Sequence, residues 1–258
     1  MSTQNLLTAD AKRATVVDHY RRLAGRYDEF LYYSPRFVRA LTAKMIRALD
    51  LRATDRLVDL GCGTAMYSLD ILEQVPLASS VVAVDPIREM LDRIPEGAPV
   101  TRWAMGALEF SAVGSYDKIL IKEAVHHEED RATLFANLYA RLSAGGRLLL
   151  VHVPPRLGYP LFDAALRRAE RWHADPDELE RQLAAAGFTV QREGLDYPHA
   201  IPTKTYFQMV ANCYMSVLSS FTPEELGEGL QEMEAKYGSR PVLEFTDHFD
   251  YITGIKAA

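Results

Sequence analysis

The chain has 258 residues, enough for one α/β domain with extra helices, and its 48% of apolar and 25% of charged residues exclude a disordered or fibrous protein. Its formal net charge of −6, without a run of lysine or arginine, argues against nucleic acid as a partner because such surfaces are usually basic. Two cysteines without metal-ligand spacing, a polar beginning and no apolar run near the ~20 residues of a membrane span predict a cytoplasmic protein without metal or membrane association.

Helical spacing dominates the first fifty residues. Apolar side chains recur every three or four positions over residues 15–50, and Ser34-Pro35 divides the region into two predicted helices. This part of the chain is also rich in aromatic residues: Tyr20, Tyr27, Phe30, Tyr32, Tyr33 and Phe37. We expect residues 1–44 to form a helical lid, although ordinary core packing also explains most of these rings.

Short apolar strands alternate with helices in the middle of the chain. Strands are predicted at residues 56–60, 80–85, 118–121 and 147–153, and helices at residues 66–74, 87–94 and 131–143. This alternation is typical of βαβ units, which build a parallel sheet with helices on both faces. The sequence therefore predicts an α/β core over residues 45–195.

The last quarter of the chain departs from this alternation. After a predicted helix at 176–186 and a strand at 188–190, residues 197–237 have mostly helical spacing, and a last strand is predicted at 251–255. Further aromatic residues lie in this region: Tyr197, Tyr206, Phe207, Tyr214 and Phe221. We therefore predict a single domain in which residues 196–240 are a helical insertion that contributes to the lid, and residues 241–258 contain the final strand.

A glycine-rich turn follows the first predicted strand at Asp59-Leu-Gly61-Cys-Gly63. Glycine lets the backbone approach a ligand closely, and open α/β sheets bind ligands at the carboxyl ends of their strands. A dinucleotide fingerprint needs a third glycine where this chain has Met66. Asp59 would repel a pyrophosphate but suits the ammonium and sulfonium groups of S-adenosylmethionine; the alternative is a turn required only for packing.

Asp85 stands at the end of the second predicted strand. Its spacing from the glycine turn is that of an acidic residue which accepts hydrogen bonds from both ribose hydroxyls. A lone aspartate at this place is more often a helix N-cap, and the two roles are compatible. Together with the glycine turn, the spacing favours the ribose.

Four segments, VDLGCGT at 58–64, VDP at 84–86, YDKI at 116–119 and LSAGGR at 142–147, together resemble class I S-adenosylmethionine-dependent methyltransferases, particularly the small-molecule branch called type 11. The resemblance covers most of residues 20–195. It implies a Rossmann-like, mostly parallel sheet with an antiparallel last strand. It also implies S-adenosylmethionine as the cofactor, S-adenosylhomocysteine as its product, and a small-molecule methyl acceptor, which we expect to be apolar or aromatic.

The resemblance also implies which residues form the cofactor site. Asp59, Gly61 and Gly63 would hold the methionyl end, and Asp85 the ribose. Cys62, between the two glycines, is a further cofactor-binding candidate. The remaining cofactor-binding candidates are Pro86 and Ile87 beside the adenine, Gly106, Ala107 and Leu108 near its amino group, Tyr20 and Tyr27 from the lid, and Lys122 near the methyl group. Two positions depart from the family pattern: Ala107 replaces an aspartate, and Ala65 replaces the third glycine of the first motif.

Two adjacent histidines, His126 and His127, are the candidate catalytic residues, because segment 122–127 resembles the part of the family that faces the methyl group. An imidazole is suited to deprotonate a hydroxyl or amine, or to position the substrate. We rank His127 first because adjacent side chains point in different directions, and the alternative is that one histidine only orients the next helix. His152 is a weaker third candidate, and we interpret the others as surface or packing residues: His19, His173, His199 and His248.

Three other functions stay open at this point. An enzyme of this fold could catalyse another reaction, such as a cyclisation, without consuming the cofactor. A nucleotide-dependent oxidoreductase is disfavoured by Asp59 and the absent third glycine. A non-enzymatic sensor of S-adenosylmethionine is disfavoured by the aromatic lid. The sequence does not determine the acceptor, its reacting atom, the need for a base, or the oligomeric state, for which a homodimer is one alternative.

Overall fold

The computed structural model describes residues 17–22 and 34–258 and has a seven-stranded sheet at its centre. The strands are β1 (Leu57–Leu60), β2 (Val81–Val84), β3 (Val100–Trp103), β4 (Tyr116–Lys122), β5 (Leu142–His152), β6 (Thr189–Pro202) and β7 (Val242–Ile255). Their order in the sheet is β3-β2-β1-β4-β5-β7-β6; β1 to β5 are parallel, and β7 is antiparallel to both of its neighbours. The predicted fold class is therefore confirmed.

Helices cover both faces of this sheet. They are α1 (Pro35–Leu49), α2 (Met66–Gln74), α3 (Arg88–Leu91), α4 (Ala107–Phe110), α5 (Arg131–Arg141), α6 (Asp163–Trp172), α7 (Pro176–Ala185), α8 (Thr203–Ala211) and α9 (Pro223–Tyr237). Successive residues of a strand face opposite sides. Accordingly, Leu149 of β5 packs in the apolar layer beneath α1 and α2, while Leu148 packs in the layer beneath α5 and α7.

The last two strands are longer than the sequence analysis predicted. β6 runs through residues 196–202, which we assigned to the helical insertion, and β7 begins at Val242 instead of 251. Pro198 and Pro202 argue against a strand, but β6 is the edge strand of the sheet, where a residue without an N–H donor is tolerated. The inserted helices are thus confined to residues 203–237.

The insertion forms a second apolar cluster together with α6. Phe162, Tyr206, Leu218 and Met233 are fully buried in it. The helical residues 17–22 contact the insertion, because the His19 Nδ1 atom lies 2.6 Å from the Ser219 hydroxyl, and Val17 and Tyr20 pack on Ile87 and Met90 after β2. The predicted lid residues Tyr27, Phe30, Tyr32 and Tyr33 lie outside the described residues.

Within residues 17–22 and 34–258, none of the helices has the length and apolar character needed to cross a membrane.

Candidate active site

A cavity of about 350 Å³ opens at the carboxyl ends of β1, β2 and β4. This is the edge at which open α/β sheets bind ligands, and the volume lies in the range of small-molecule sites. The predicted site residues on its wall are Tyr20, Asp59, Gly61, Cys62, Gly63, Asp85, Pro86, Ile87, Gly106, Ala107, Lys122, His126 and His127. Leu108 is not part of the wall, and Tyr27 lies outside the described residues.

The turn between β1 and α2 requires glycine for two reasons. Gly61 has a φ angle of 78°, and a Cβ atom on it would lie 2.3 Å from the Cβ of Ala124. No side chain fits at that distance, so the backbone of the turn lies directly against the segment that follows β4. The Gly61 and Cys62 N–H groups donate to the Val84 carbonyl, at 2.7 and 3.1 Å, which ties the turn to β2.

Asp59 is a buried carboxylate on the cavity wall, with 3% of the residue exposed. The Ser68 hydroxyl donates to its Oδ2 atom at 2.6 Å. Burial raises the pKa of Asp59 to about 6, because a charged carboxylate loses its hydration. A cationic group in the cavity would offset this cost, so the residue fits the ammonium or sulfonium end of S-adenosylmethionine.

Asp85 holds the loop and faces the cavity at the same time. Its Oδ2 accepts from the Gly63 N–H at 2.9 Å, and its Oδ1 accepts from the Ile87 N–H at 2.8 Å. Each carboxylate oxygen can accept a second hydrogen bond, so two ligand hydroxyls can be bound by the same side chain. The alternatives of loop stabilisation and ribose recognition are therefore compatible in this geometry.

The charge on the wall argues against a pyrophosphate. The part of the wall that belongs to described residues carries a single lysine, Lys122, and five carboxylates: Asp59, Asp85, Glu123, Glu128 and Glu129. A dinucleotide would bring two negative charges to this surface, whereas S-adenosylmethionine brings a sulfonium and an ammonium. The donor set fits S-adenosylmethionine, and we expect the apolar side chains of Ile87, Met90 and Met105 to contact its adenine.

The chain after β4 places His126 and His127 on the wall in a 3₁₀ turn, Val125–His127. Their ring centroids are 4.0 Å apart, and the ring of His127 lies 6.1 Å from that of Tyr20 in an edge contact. Both histidines therefore line the cavity, although we expected one of them to face it. His152 is fully buried in β5 and is not on the wall; burial lowers its pKa to about 4.

Sequence reasoning missed two features near the cavity. Glu123 lies in segment 122–127 but is not one of the predicted site residues, yet it has a left-handed backbone with a φ angle of 54° and lies on the wall. His199 is a packing residue, one of the two alternatives expected for it, with a side chain only 8% exposed, but its partner was not predicted: its Nε2 lies 2.8 Å from Asp247 Oδ2. His248, in contrast, is exposed as expected.

The sequence of residues 57–146 matches the profile of a family described as a methyltransferase domain. Over 164 residues the chain is 37% identical to an uncharacterized methyltransferase of Mycobacterium tuberculosis, and the match covers 62% of this chain and 65% of that protein. The chain thus spans a little less than two thirds of the length of this curated relative.

Solved structures of methyltransferases share the fold. A putative methyltransferase from an antibiotic biosynthesis pathway of Anabaena variabilis has a TM-score of 0.62 and 18% identity, covering 82% of this chain and 96% of its own. Phosphoethanolamine N-methyltransferase 2 of Haemonchus contortus, in complex with S-adenosyl-L-methionine, has a TM-score of 0.59 and 17% identity, covering 99% and 59%. Residues 57–146 therefore match a methyltransferase domain, and the chain shares the fold of these solved methyltransferase structures.

Proposed function

We propose that the protein transfers the methyl group of S-adenosylmethionine to a small molecule. The observation that carries the proposal is the position of Gly61, Asp59 and Asp85 around one cavity at the carboxyl edge of the sheet. When bound, the cofactor supplies a methyl group on a positively charged sulfur, which is the electrophile of the reaction. Asp59 binds the cationic end of the cofactor, and Asp85 binds its ribose.

A small acceptor is supported by the size and charge of the cavity. About 350 Å³ must hold the cofactor and leave room for the acceptor, which favours a small compound. The acidic wall and the net charge of −6 oppose a polyanion such as RNA. The side chains of Val17, Met66 and Tyr67 give the wall apolar surface, which favours an acceptor with an apolar or aromatic part.

His126 and His127 are proposed to position the acceptor. They lie at the carboxyl end of β4 on the same wall as Gly61. Tyr20, whose ring contacts His127, extends this surface from residues 17–22. Methyl transfer depends mainly on orienting the acceptor and excluding water. Side chains that hold the acceptor in place therefore account for much of the rate.

The test is incubation with S-adenosylmethionine that carries an isotopically labelled methyl group, together with an extract of the source organism and analysis by mass spectrometry. Formation of S-adenosylhomocysteine together with a labelled small molecule supports the proposal. Label found in RNA or protein would contradict the small-molecule acceptor. A product that forms without label and without S-adenosylhomocysteine would favour the cyclisation alternative instead.

A further inference from the structure

A second cavity of about 70 Å³ lies beside the first one and shares Lys122 and Glu123 with it. β6, β7 and the chain around α8 supply most of its wall. Its volume is too small for a whole metabolite but sufficient for a polar head group. A ligand whose head group lies here would have its remaining atoms beside or within the large cavity, where the cofactor is expected.

A buried hydrogen-bonded pair, His199 and Asp247, lies on the wall of this cavity. Asp247 and His199 lie on the same face of β7 and β6, with side chains 10% and 8% exposed. The His199 ring stacks on Phe245 at 5.2 Å and contacts Phe37 at 5.1 Å, while the Tyr159 hydroxyl also hydrogen-bonds to Asp247. Burying such a pair gives little stability compared with apolar residues, so its position on a cavity suggests a functional role.

Glu123 separates the two cavities. Its Oε1 accepts from the Val153 N–H at 2.7 Å, and its backbone is left-handed although it is not glycine. A left-handed backbone strains a residue that has a side chain, and such strain is concentrated at functional sites. Burial raises the pKa of Glu123 to about 7, which is the range in which a carboxylate exchanges protons efficiently at neutral pH.

The walls of the small cavity combine carboxylates with aromatic rings. Asp247 and Glu123 both lie on its wall, and the rings on the wall are Tyr159, Tyr214, Phe245 and Phe249. The ammonium of Lys122 lies closer to the ring of Tyr67, in the large cavity, than to that of Phe249, at 4.7 Å against 5.6 Å. Carboxylates together with aromatic faces are the surroundings that bind an organic ammonium group.

We propose that the small cavity binds the amino group of the methyl acceptor, with Asp247 as the counter-charge of the ammonium and Glu123 as the acceptor of its proton. The inference rests on the proposed methyltransferase function. Glu123 takes one proton from the ammonium, and the nitrogen lone pair then forms a bond to the methyl carbon. The bond between that carbon and sulfur breaks, and its electron pair stays on sulfur. His199 positions Asp247 and does not contact the acceptor.

Calorimetric titration of the protein, saturated with S-adenosylhomocysteine, tests this inference with two probes of equal shape, benzylamine and benzyl alcohol. The amine should bind at least roughly tenfold more tightly than the alcohol, and Asp247→Asn should remove this preference. The matched control is Asp196→Asn, which breaks the exposed pair of Asp196 with His248 on the same two strands. It should leave amine binding unchanged.

A second arm follows amine binding against pH. Between pH 6 and 8 Glu123 becomes charged, so affinity for the ammonium should rise in the wild type and stay flat in Glu123→Gln. The groups that act on Glu123 are Lys122 of β4, Asp247 of β7, Tyr20 and Tyr159. Equal affinity for amine and alcohol, or equal effects of the two Asp→Asn changes, would overturn the inference. If Asp247→Asn does not fold, the comparison of amine and alcohol binding to the wild type still tests the inference. Failure of the wild type to bind S-adenosylhomocysteine would instead contradict the proposed function.

Discussion

Left-handed residues shape the turn between β1 and α2. Gly61, Gly63 and Ala65 have φ angles of 78°, 56° and 58°. Ala65 stands where the family resemblance leads one to expect glycine, and its methyl group is fully buried. The left-handed backbone costs roughly 1–2 kcal/mol, and burying one methyl group returns about 0.8 kcal/mol. The departure at Ala65 therefore costs little, whereas Gly61 has no such freedom because of Ala124.

Gly61→Ala should destabilise the fold and abolish binding of S-adenosylhomocysteine. Strain at positive φ and the overlap with Ala124 together cost about 2–4 kcal/mol of unfolding free energy. Urea unfolding and calorimetry measure the two effects. Gly158→Ala is the control, since a Cβ atom there meets nothing within 4 Å. Equal stability of both variants would show that the turn relaxes at no cost.

Asp85→Ala should weaken the binding of S-adenosylhomocysteine by about 1–3 kcal/mol, because the ribose hydroxyls and two backbone N–H groups lose their acceptor. Asp130→Ala is the matched control: Asp130 caps α5 by accepting from the Thr133 N–H at 3.1 Å and is not on the cavity wall. It should lower stability by about 1 kcal/mol and leave affinity unchanged. If Asp85→Ala behaves like this control, Asp85 has only a structural role.

His127→Ala should raise the KM for the acceptor more than it lowers kcat, since the residue is proposed to position the acceptor. The pH profile of kcat should keep its shape, because the proton is assigned to Glu123. Steady-state kinetics between pH 6 and 9 measure both quantities. A rate loss of roughly 10²–10⁴-fold with a lost ionisation near neutral pH would show that His127 is the general base instead.

Residues close to a motif could be predicted from the sequence, and residues brought together by strand register could not. Asp59 and Asp85 follow from their spacing relative to one glycine turn. Asp247 and His199 are 48 positions apart and meet only because β6 and β7 pair in one particular register. Glu123 could not be recognised because a left-handed backbone at a residue other than glycine has no local signal in the sequence.

At the scale of whole elements, the sequence analysis missed the alternation of buried and exposed residues in the edge strand β6. Leu195, Tyr197, His199 and Ile201 alternate with exposed residues, which is the pattern of a half-buried strand. Two prolines within the same stretch and the helical spacing that follows obscured this alternation. Strands β1, β2, β4 and β5 in the interior of the sheet had no such conflict and were predicted. β3, which is the other edge strand and has two of its four residues exposed, was not.

Residues 17–22 should become more protected when S-adenosylhomocysteine binds. Val17 and Tyr20 pack on Ile87 and Met90, which we expect to contact the adenine, so a ligand adds contacts to this segment. Hydrogen exchange with mass spectrometry should show the added protection there and in residues 206–221, which hold His19 through Ser219. Peptides from β5 are the control. Identical exchange with and without ligand would mean that the segment is fixed structure and not a lid.

At the scale of the whole molecule, buried titratable groups act on stability in opposite directions. Burial raises the pKa of Asp59 to about 6 and of Glu123 to about 7. Their contribution to the free energy of unfolding therefore falls as pH rises from 4 to 7. Burial lowers the pKa of His19 and His152 to about 4. Their contribution to the free energy of unfolding therefore rises as pH rises from 4 to 6.5. Each effect is at most about 3 kcal/mol, and the four nearly cancel below pH 6.5.

Because of this cancellation, the pH dependence of wild-type stability does not show the effect of Glu123 ionisation. The difference in stability between the wild type and Glu123→Gln does. Glu123→Gln keeps an acceptor for the Val153 N–H and removes the ionisation. Below pH 4.5 the two proteins both carry a neutral side chain and should have similar stability. As pH rises from 5 to 8, the wild type must ionise a partly buried carboxyl, so the variant should gain up to about 3 kcal/mol relative to it. Urea unfolding at each pH measures this difference, with Glu129→Gln, an exposed glutamate of the same wall, as the control for removing a carboxyl. A difference that does not change with pH would show that Glu123 titrates as in the unfolded chain, and would remove the reason to regard it as a proton acceptor at neutral pH.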